Sequence, residues 1–270
     1  ALPIYRRGEL QESRLRAIVI QFILFAKDIP NLTAATGLFR YAAQAGRRAA
    51  FQDRLSIEGV TMSIETFPLG PLETNCHVVI NGSDAVAVDP GGDLNGGLGE
   101  VLALLKERQL TLRAILCTHY HFDHLYGVAA LHEATGAPVY GPAGDASLLD
   151  GELGGSGAWG FPPVTPFKWE DLKEGPHTFG SIKCDVLATP GHTPGSLSIH
   201  FPDQNAVMTG DLLFYHSVGR TDFPGGSAEA LRKSLHKKIF ILPQETEVYP
   251  GHGPNTNVGE ELANNPYLWL

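Results

Sequence analysis

The chain has 270 residues, 43% of them apolar, so it is long enough to bury one sizeable hydrophobic core. Its formal net charge of −9 disfavours nucleic acid as a partner, because binding to phosphates requires a cationic face. Three cysteines are too few and too scattered for a disulfide framework, which indicates a reducing, cytoplasmic compartment.

The first 61 residues differ in composition from the rest of the chain. They carry nine Lys or Arg and five Asp or Glu, whereas residues 62–270 carry eleven and twenty-four. Their longest apolar run, residues 17–26, is about half of the ~20 residues that cross a bilayer, so we predict no transmembrane span. We predict a partly helical N-terminal extension over 1–61 and a catalytic domain over 62–270. The extension is interpreted as a leader, an oligomerisation arm or non-native sequence, and a homo-oligomer stays open.

From Met62 onward, strand and helix patterns alternate, which is typical of an α/β fold. The predicted strands cover residues 63–68, 77–80, 85–88, 113–117, 137–140, 182–188, 197–201, 206–209 and 247–249. The predicted helices cover residues 98–110, 126–135, 227–238 and 259–264. Residues 150–163 are rich in Gly and Pro and include Trp159 and Phe161. This segment is interpreted either as a mobile flap over a pocket or as a surface loop whose aromatic side chains pack locally.

The strongest chemical signal follows the predicted strand at 113–117. Residues 118–124 read T-H-Y-H-F-D-H and place His119, His121, Asp123 and His124 within six residues. Imidazole and carboxylate suit zinc or iron, and the absence of thiolates argues against a closed structural zinc site. A strand that ends in this run presents the ligands at its C-terminal edge, where α/β folds keep their chemistry.

Three later strands end in further candidate ligands. His192 in T-P-G-H, Asp211 in T-G-D and His252 in P-G-H-G each follow a predicted strand and stand close to a glycine. Together with the run, they would make seven ligands, which is too many for one tetrahedral zinc and right for two ions that share a bridge. The predicted sets are His119, His121 and His192 for one ion, Asp123, His124 and His252 for the other, and Asp211 as the bridge.

A site with two metal ions predicts hydrolysis. Two adjacent cations lower the pKa of a bridging water, so that hydroxide is available near neutral pH, and they polarise a carbonyl or phosphoryl oxygen. We expect two divalent ions, zinc first, with iron or manganese as alternatives. Asp123 is also predicted to orient the water or to carry its proton.

The motifs at residues 118–124, 189–196, 209–211 and 250–253 resemble those of the metallo-β-lactamase fold superfamily, and the resemblance covers about residues 62–270. Residues 213–226 and 251–266 are similar to the small, single-domain glyoxalase II-like hydrolases. The resemblance implies a four-layer αβ/βα sandwich, the dinuclear site and hydrolysis of thioesters such as hydroxyacylglutathione. Full-length glyoxalase II has a C-terminal helical domain that contacts glutathione. Only eighteen residues follow His252 here, so recognition of glutathione is not implied.

Four further residues are candidates for supporting or substrate-binding roles. Arg220 and Asp222, in G-R-T-D, either orient the metal ligands or form a structural turn. Tyr215 and His216 follow Asp211 closely and either face the substrate or pack elsewhere.

Other activities stay open. The related persulfide dioxygenases share the G-R-T-D segment and imply one iron on His119, His192 and Asp211. An ester carbonyl suits the same site, so a lactonase is an alternative, and the resemblance implies at most weak hydrolysis of β-lactams. The predicted hydrolase partner is a small acyl or thioester substrate. A binding protein with a vestigial site should lack one or more ligands, and none of the seven is missing.

Overall fold

The computed structural model describes residues 55–57, 60–93, 95–155 and 160–269. Most of the predicted N-terminal extension and the predicted site residue Trp159 lie outside these ranges. Within them, two β-sheets pack face to face and helices cover both outer faces. No helix in the described ranges is both long and apolar enough to cross a membrane.

The first sheet has seven strands, which lie side by side in chain order. They are β1 (Leu55–Ile57), β2 (Val60–Leu69), β3 (Thr74–Asn81), β4 (Asp84–Val88), β5 (Thr111–Leu116), β6 (Val139–Gly141) and β7 (Glu170–Asp171). Strands β1 to β4 pair antiparallel, and β4 to β7 pair parallel. Parallel neighbours need a crossover connection. Helices α1 (Leu98–Glu107) and α2 (Val128–Thr135) provide the first two of these connections.

The second sheet has six strands in the order β15-β14-β11-β10-β9-β8. They are β8 (Gly175–Phe179), β9 (Ile182–Ala188), β10 (Leu197–Phe201), β11 (Ala206–Gly210), β14 (Glu247–Pro250) and β15 (Thr256–Asn257). A separate hairpin joins β12 (Leu213–Phe214) to β13 (Ser217–Val218). Helix α3 (Ala228–Ser234) continues as a π-helical turn over Leu235–Ile239, and α4 (Val258–Asn264) follows β15.

Three apolar clusters separate four layers. Val79 and Leu116 of the first sheet pack against Ile199 and Met208 of the second. The opposite face of the first sheet packs against α1 and α2, and the opposite face of the second sheet packs against α3 and α4. Neighbouring strand residues such as Val78 and Val79 belong to different clusters, since successive side chains of a strand point to opposite faces. The arrangement is the four-layer αβ/βα sandwich that the resemblance implied.

Most differences from the predicted elements occur at their ends. The helix predicted from residue 126 begins at Val128, because the metal run first forms a 3-10 turn over Phe122–His124. The first sheet starts before Met62, since β2 begins at Val60 and β1 pairs with it. Six strands were not predicted, namely β1, β7, β8, β12, β13 and β15; five of them have only two or three residues and so carry no detectable alternation.

Candidate metal centre

The seven predicted ligands meet where strands of both sheets end. The run that starts at Thr118 follows β5, His192 follows β9, Asp211 follows β11 directly and His252 follows β14. The two sheets face each other across the inter-sheet core, so their strand ends bring together residues that lie far apart in the chain. Every predicted ligand lies against at least one other.

The first set of ligands consists of three buried imidazoles. The ring centroids of His119, His121 and His192 lie 4.6–4.9 Å apart. Nδ1 of His192 donates to the carbonyl oxygen of Arg220 at 2.8 Å, which leaves a lone pair on its Nε2. That Nε2 lies 2.8 Å from Nδ1 of His121. Three imidazole nitrogens can therefore converge on one ion.

The second set of ligands lies beside the first and is more open to solvent. Nε2 of His252 lies 3.1 Å from Oδ2 of Asp123, and Nε2 of His124 lies 3.6 Å from the same oxygen. The His252 side chain is 30% exposed, whereas that of His124 is fully buried. The site is therefore open to solvent on the side of His252.

Asp211 lies between the two sets. Its carboxylate oxygens are 3.3 Å from Nε2 of His124, 3.6 Å from Nε2 of His192 and 3.7 Å from Nε2 of His252. The approach of Asp211 requires a glycine at position 251, because a Cβ there would lie 2.3 Å from Oδ1 of Asp211. The position between the two sets is the one that a bridging ligand needs.

Burial keeps two of the imidazoles neutral. It lowers the pKa of His119 well below its usual range, and the neighbouring imidazole of His124 adds to the effect. Burial likewise lowers the pKa of His121 to about 3. Both side chains therefore offer lone pairs near neutral pH, as metal ligands must.

The second set and the bridge form a charged cluster. Burial alone would raise the pKa of Asp123, but His124 and His252 outweigh it and lower the pKa to about 2. Burial acts against the charged form of His124 too, yet the carboxylates of Asp123 and Asp211 hold its pKa above the usual value. The two buried carboxylates hold protons on the adjacent histidines. Their negative charge also favours a divalent cation at this position, and the cation would displace those protons.

Three buried atoms support metal binding directly. Among the described residues, Nε2 of His119, Nε2 of His124 and Oδ1 of Asp211 are buried without a well-formed hydrogen bond, although the last two lie 3.3 Å from each other. A buried polar atom without a partner typically costs about 1–3 kcal/mol, so native proteins seldom keep an atom such as Nε2 of His119 without a ligand. The donor set and these atoms fit two divalent ions.

Asp89 orients the metal run, and the sequence analysis assigned it no role in the site. Its Oδ2 accepts from Nδ1 of His124 at 3.0 Å and from Oγ1 of Thr118 at 2.6 Å, and its Oδ1 accepts from the Thr118 amide at 2.7 Å. The side chains of Asp89, His119 and His124 also lie close enough together to hold an ion. We regard Asp89 as a support, because these three donors already engage its carboxylate. The signal in the sequence was D-P-G-G directly after β4.

Strand β3 contacts the loop that carries His252. Asn75 Nδ2 donates to the carbonyl oxygens of Pro250 and Gly253 at 3.0 and 2.9 Å, and the Asn75 amide donates to Gly251 at 2.8 Å. Nε2 of His77 lies 3.1 Å from the same Pro250 carbonyl. Sequence analysis assigned His77 no function, since no local motif surrounds it.

Asp145 connects the first set of ligands to the helical turn after β6. Its carboxylate accepts from Thr193 Oγ1 and from the Gly195 amide, both at 2.6 Å, and from the Tyr120 amide at 3.4 Å. Burial raises the pKa of Asp145 even though these hydrogen bonds oppose the shift. The residue therefore joins the run at 118–124 to the loop of His192.

Arg220 contacts the site through its backbone, and Asp222 through Arg220. The guanidinium forms a bidentate ion pair with Asp222 at 2.7 Å and lies 3.7 Å from the centroid of the Phe223 ring. Phe223 packs edge-on against His121, with ring centroids 5.7 Å apart. The predicted orienting role of Arg220 thus falls to its carbonyl oxygen, which accepts from His192.

Tyr215 and His216 lie in the β12–β13 hairpin, and His216 contacts α4. Their rings stack with centroids 4.0 Å apart, and Nε2 of His216 lies 2.7 Å from Glu260. The backbone of His216 is left-handed, with φ of 52°, and both carboxylate oxygens of Glu261 accept from its amide. In the same hairpin, Phe214 lies against His252, with ring centroids 6.2 Å apart.

Phe161 packs against the metal run. Its ring centroid lies 5.2 Å from that of Phe122, and Tyr126 donates to the Pro162 carbonyl at 2.9 Å. These contacts favour the interpretation of residues 160–163 as locally packed rather than as a flap.

Comparison with known proteins places the chain among metallohydrolases. A sequence model of the Metallo-beta-lactamase superfamily matches residues 69–252. The Bacillus subtilis (strain 168) protein named "Probable metallo-hydrolase YqgX" is 38% identical over 210 residues, which cover 77% of this chain and 98% of that protein. The "Hydroxyacylglutathione hydrolase GloC" of Haemophilus influenzae is 29% identical over 212 residues, with coverages of 77% and 98%.

Two solved structures are similar along most of the chain. The BLEG-1 B3 metallo-β-lactamase is 39% identical, with a TM-score of 0.70 and coverages of 76% of this chain and 99% of that chain. TTHA1623, solved in a di-iron-bound form, is 42% identical, with a TM-score of 0.67 and coverages of 75% and 99%. These similarities confirm the predicted family resemblance and the predicted sandwich fold.

Proposed function

Because the chain belongs to the metallo-β-lactamase superfamily, we propose that it is a metal-dependent hydrolase that uses two divalent ions to cleave thioesters. The observation that carries the proposal is the division of the predicted ligands into two sets of three, with Asp211 within 3.7 Å of both. One imidazole of each set and Asp211 contribute buried atoms without a well-formed hydrogen bond, which supports a role for both sets and the bridge.

Two bound divalent cations would supply a water of lowered pKa and a Lewis acid for the carbonyl oxygen of the substrate. The chain itself orients the groups around that chemistry. Thr74 donates to Oδ2 of Asp123 at 3.0 Å, which holds this carboxylate at the open side of the site, next to His252. In this proposal, Asp123 orients the attacking water or accepts its proton.

A thioester suits this site because its leaving group needs little help. A thiol has a pKa near 8.5, so a thiolate departs without a dedicated general acid. Phe214 and Phe223 contribute apolar surface next to His252 and His121, respectively. The relative named as a hydroxyacylglutathione hydrolase supports the same substrate class.

Hydrolysis of β-lactams is a second candidate. The observation in its favour is the 39% identity to BLEG-1, whose structure is described as a B3 metallo-β-lactamase. The strained amide carbonyl of a β-lactam could be attacked at the same site by the same chemistry. Asp211 at the bridging position favours the thioester, as the resemblance to glyoxalase II-like hydrolases implied.

The test combines metal analysis with a substrate screen. Purified protein is analysed for zinc, iron and manganese, and is then assayed with S-lactoylglutathione, other thioesters, a lactone and a chromogenic β-lactam. Oxygen consumption with glutathione persulfide tests the dioxygenase alternative. We expect two metal equivalents and fastest turnover on a thioester. One iron together with oxygen consumption would overturn the proposal.

Variants link the activity to the site. His121→Ala and Asp123→Ala should abolish turnover on the thioester. His177→Ala is the matched control, because that half-buried imidazole on β8 contacts the Lys173 carbonyl and the ring of Phe179, and neither residue is a predicted ligand. Chelation should remove the activity, and addition of the native divalent ion should restore it.

A further inference from the structure

The loop that carries His252 is attached to the opposite sheet by three of its carbonyl groups. Strand β14 belongs to the second sheet, yet Pro250, Gly251 and Gly253 all accept hydrogen bonds from strand β3 of the first sheet. The donors are the side-chain amide and the backbone amide of Asn75. Nε2 of His77 makes a second contact with the Pro250 carbonyl. His252 is thus flanked on both sides by anchored peptide groups.

The two β3 side chains that make this contact, Asn75 and His77, are buried. Asn75 and His77 are 4% and 2% exposed, so solvent does not compete for their hydrogen bonds. Oγ1 of Thr66 lies 3.0 Å from Nδ1 of His77. With the hydroxyl donating to Nδ1, Nε2 carries the proton and donates to the Pro250 carbonyl, so one tautomer satisfies both ring nitrogens.

We propose that Asn75 and His77 are positioning residues that selectively maintain the second metal subsite, formed by Asp123, His124 and His252. The inference rests on the proposed two-metal function. His252 is the most exposed of these three ligands, and its loop accepts four hydrogen bonds from β3, besides the one that the Gly251 amide donates to Gly210 in its own sheet. The first subsite draws its support elsewhere, from Asp145 and from the carbonyl of Arg220.

Because different residues support the two subsites, removing the β3 donors should weaken the binding of one metal ion and not of the other. Partners that orient metal ligands typically contribute about 10–100-fold to metal affinity. Removing the β3 donors should therefore weaken the second ion by a factor in that range and leave the first ion bound as in the wild type. A role in general stability would instead weaken both ions together.

The experiment measures the two dissociation constants for Zn²⁺ by competition with a chelator, together with the zinc content after gel filtration. Asn75→Asp keeps the shape of the side chain but replaces the donating NH2 group by an oxygen, which would face two carbonyl oxygens. His77→Phe removes the donor, and His77→Gln keeps an N–H that can reach Pro250. Circular dichroism and thermal unfolding show whether each variant is folded.

Asn81→Asp is the matched control. Asn81 lies on the same strand, and its amide also donates across to the second sheet, to the Ser181 carbonyl at 2.9 Å, but at the other end of β3. We expect Asn75→Asp and His77→Phe to lose the second zinc selectively, with recovery in His77→Gln and no loss in Asn81→Asp.

Two results would overturn the inference: an unchanged second dissociation constant in both variants, or a parallel loss of both ions in folded protein. If Asn75→Asp does not fold, the pair His77→Phe and His77→Gln decides alone. A wild-type protein that binds two zinc ions without cleaving thioesters would refute the proposed function but leave this inference standing. A wild-type protein that binds a single ion would overturn the inference.

Discussion

His124 donates through Nδ1 to Oδ2 of Asp89 at 3.0 Å, and its Nε2 therefore faces Asp123 and Asp211. A carboxylate can only accept here, so Nδ1 keeps its proton. Nε2 is then the nitrogen that gives up its proton when a metal ion binds on the side of the predicted second ion. Asp89 thus determines which nitrogen of His124 can bind metal.

Asp89→Asn should weaken metal binding without removing a ligand. The amide has the size of the carboxylate but no charge, and its NH2 group would face one of the three groups that donate to Asp89. Zinc affinity should therefore fall by about 10–100-fold. Chelator competition measures this change. Asp93→Asn is the control, because Asp93 is exposed and caps only the neighbouring turn at 95–96. A complete loss of one zinc equivalent, as expected for Asp211→Asn, would show instead that Asp89 is itself a ligand.

The sequence was sufficient to predict which seven residues the fold brings together, but not the groups that hold them in place. The run at 118–124 has a local spacing, and His192, Asp211 and His252 each follow a strand beside a glycine, so a strand-by-strand analysis finds them. Asp89 acts across 35 residues and Asn75 across 175. Asp89 meets its partners only when β4 pairs with β5, and Asn75 meets Pro250 only when the two sheets pack together. D-P-G-G marks the turn after β4, but no local pattern in either case identifies the partner.

Arg220→Ala should leave the metal content unchanged. The His192 ring is held by the backbone carbonyl of Arg220, which survives the substitution. The lost side chain forms a solvent-exposed ion pair with Asp222 and stacks on Phe223, contacts that together contribute about 1 kcal/mol or less at such sites. Zinc content and chemical denaturation measure both expectations. If zinc were lost as in His192→Ala, the guanidinium itself would be required for the site.

Glu261→Gln should destabilise the hairpin that lies against His252. Glu261 is fully buried, and its oxygens accept from Thr256 and Asn265 at 2.7 Å and from the His216 amide at 3.1 Å. An amide group would face one of these donors, so we expect a loss of about 1–3 kcal/mol in the free energy of unfolding. Glu260→Gln, on the exposed side of the same helix, should have a smaller effect. Equal stability of the two variants in urea unfolding would contradict this account.

Asp84 connects the two sheets far from the ligands. Its Oδ2 accepts from the Ser181 amide at 2.7 Å and its Oδ1 accepts from Nε of Arg113 at 2.6 Å. Burial acts to raise the pKa of Asp84, but the contacts with Arg113 and Ser181 outweigh it and lower the pKa below the usual 3.8. The charged carboxylate therefore stabilises the folded state above that pH, and the contribution disappears as the pH falls through the lowered pKa.

Asp84→Asn should accordingly be less stable than the wild type at pH 7 by about 1–2 kcal/mol, mostly through the buried hydrogen bond, since Arg113 is half exposed and its ion pair is screened. The difference should shrink as the pH falls from 3.8 through the lowered pKa of Asp84. Urea unfolding at pH 7 and at a series of acidic pH values, in the presence of a chelator so that metal loss does not contribute, measures it. Asp203→Asn, at an exposed position, controls for the change in net charge. A difference between Asp84→Asn and the wild type that stayed constant over the whole acidic series would mean that the charge of Asp84 does not contribute to stability.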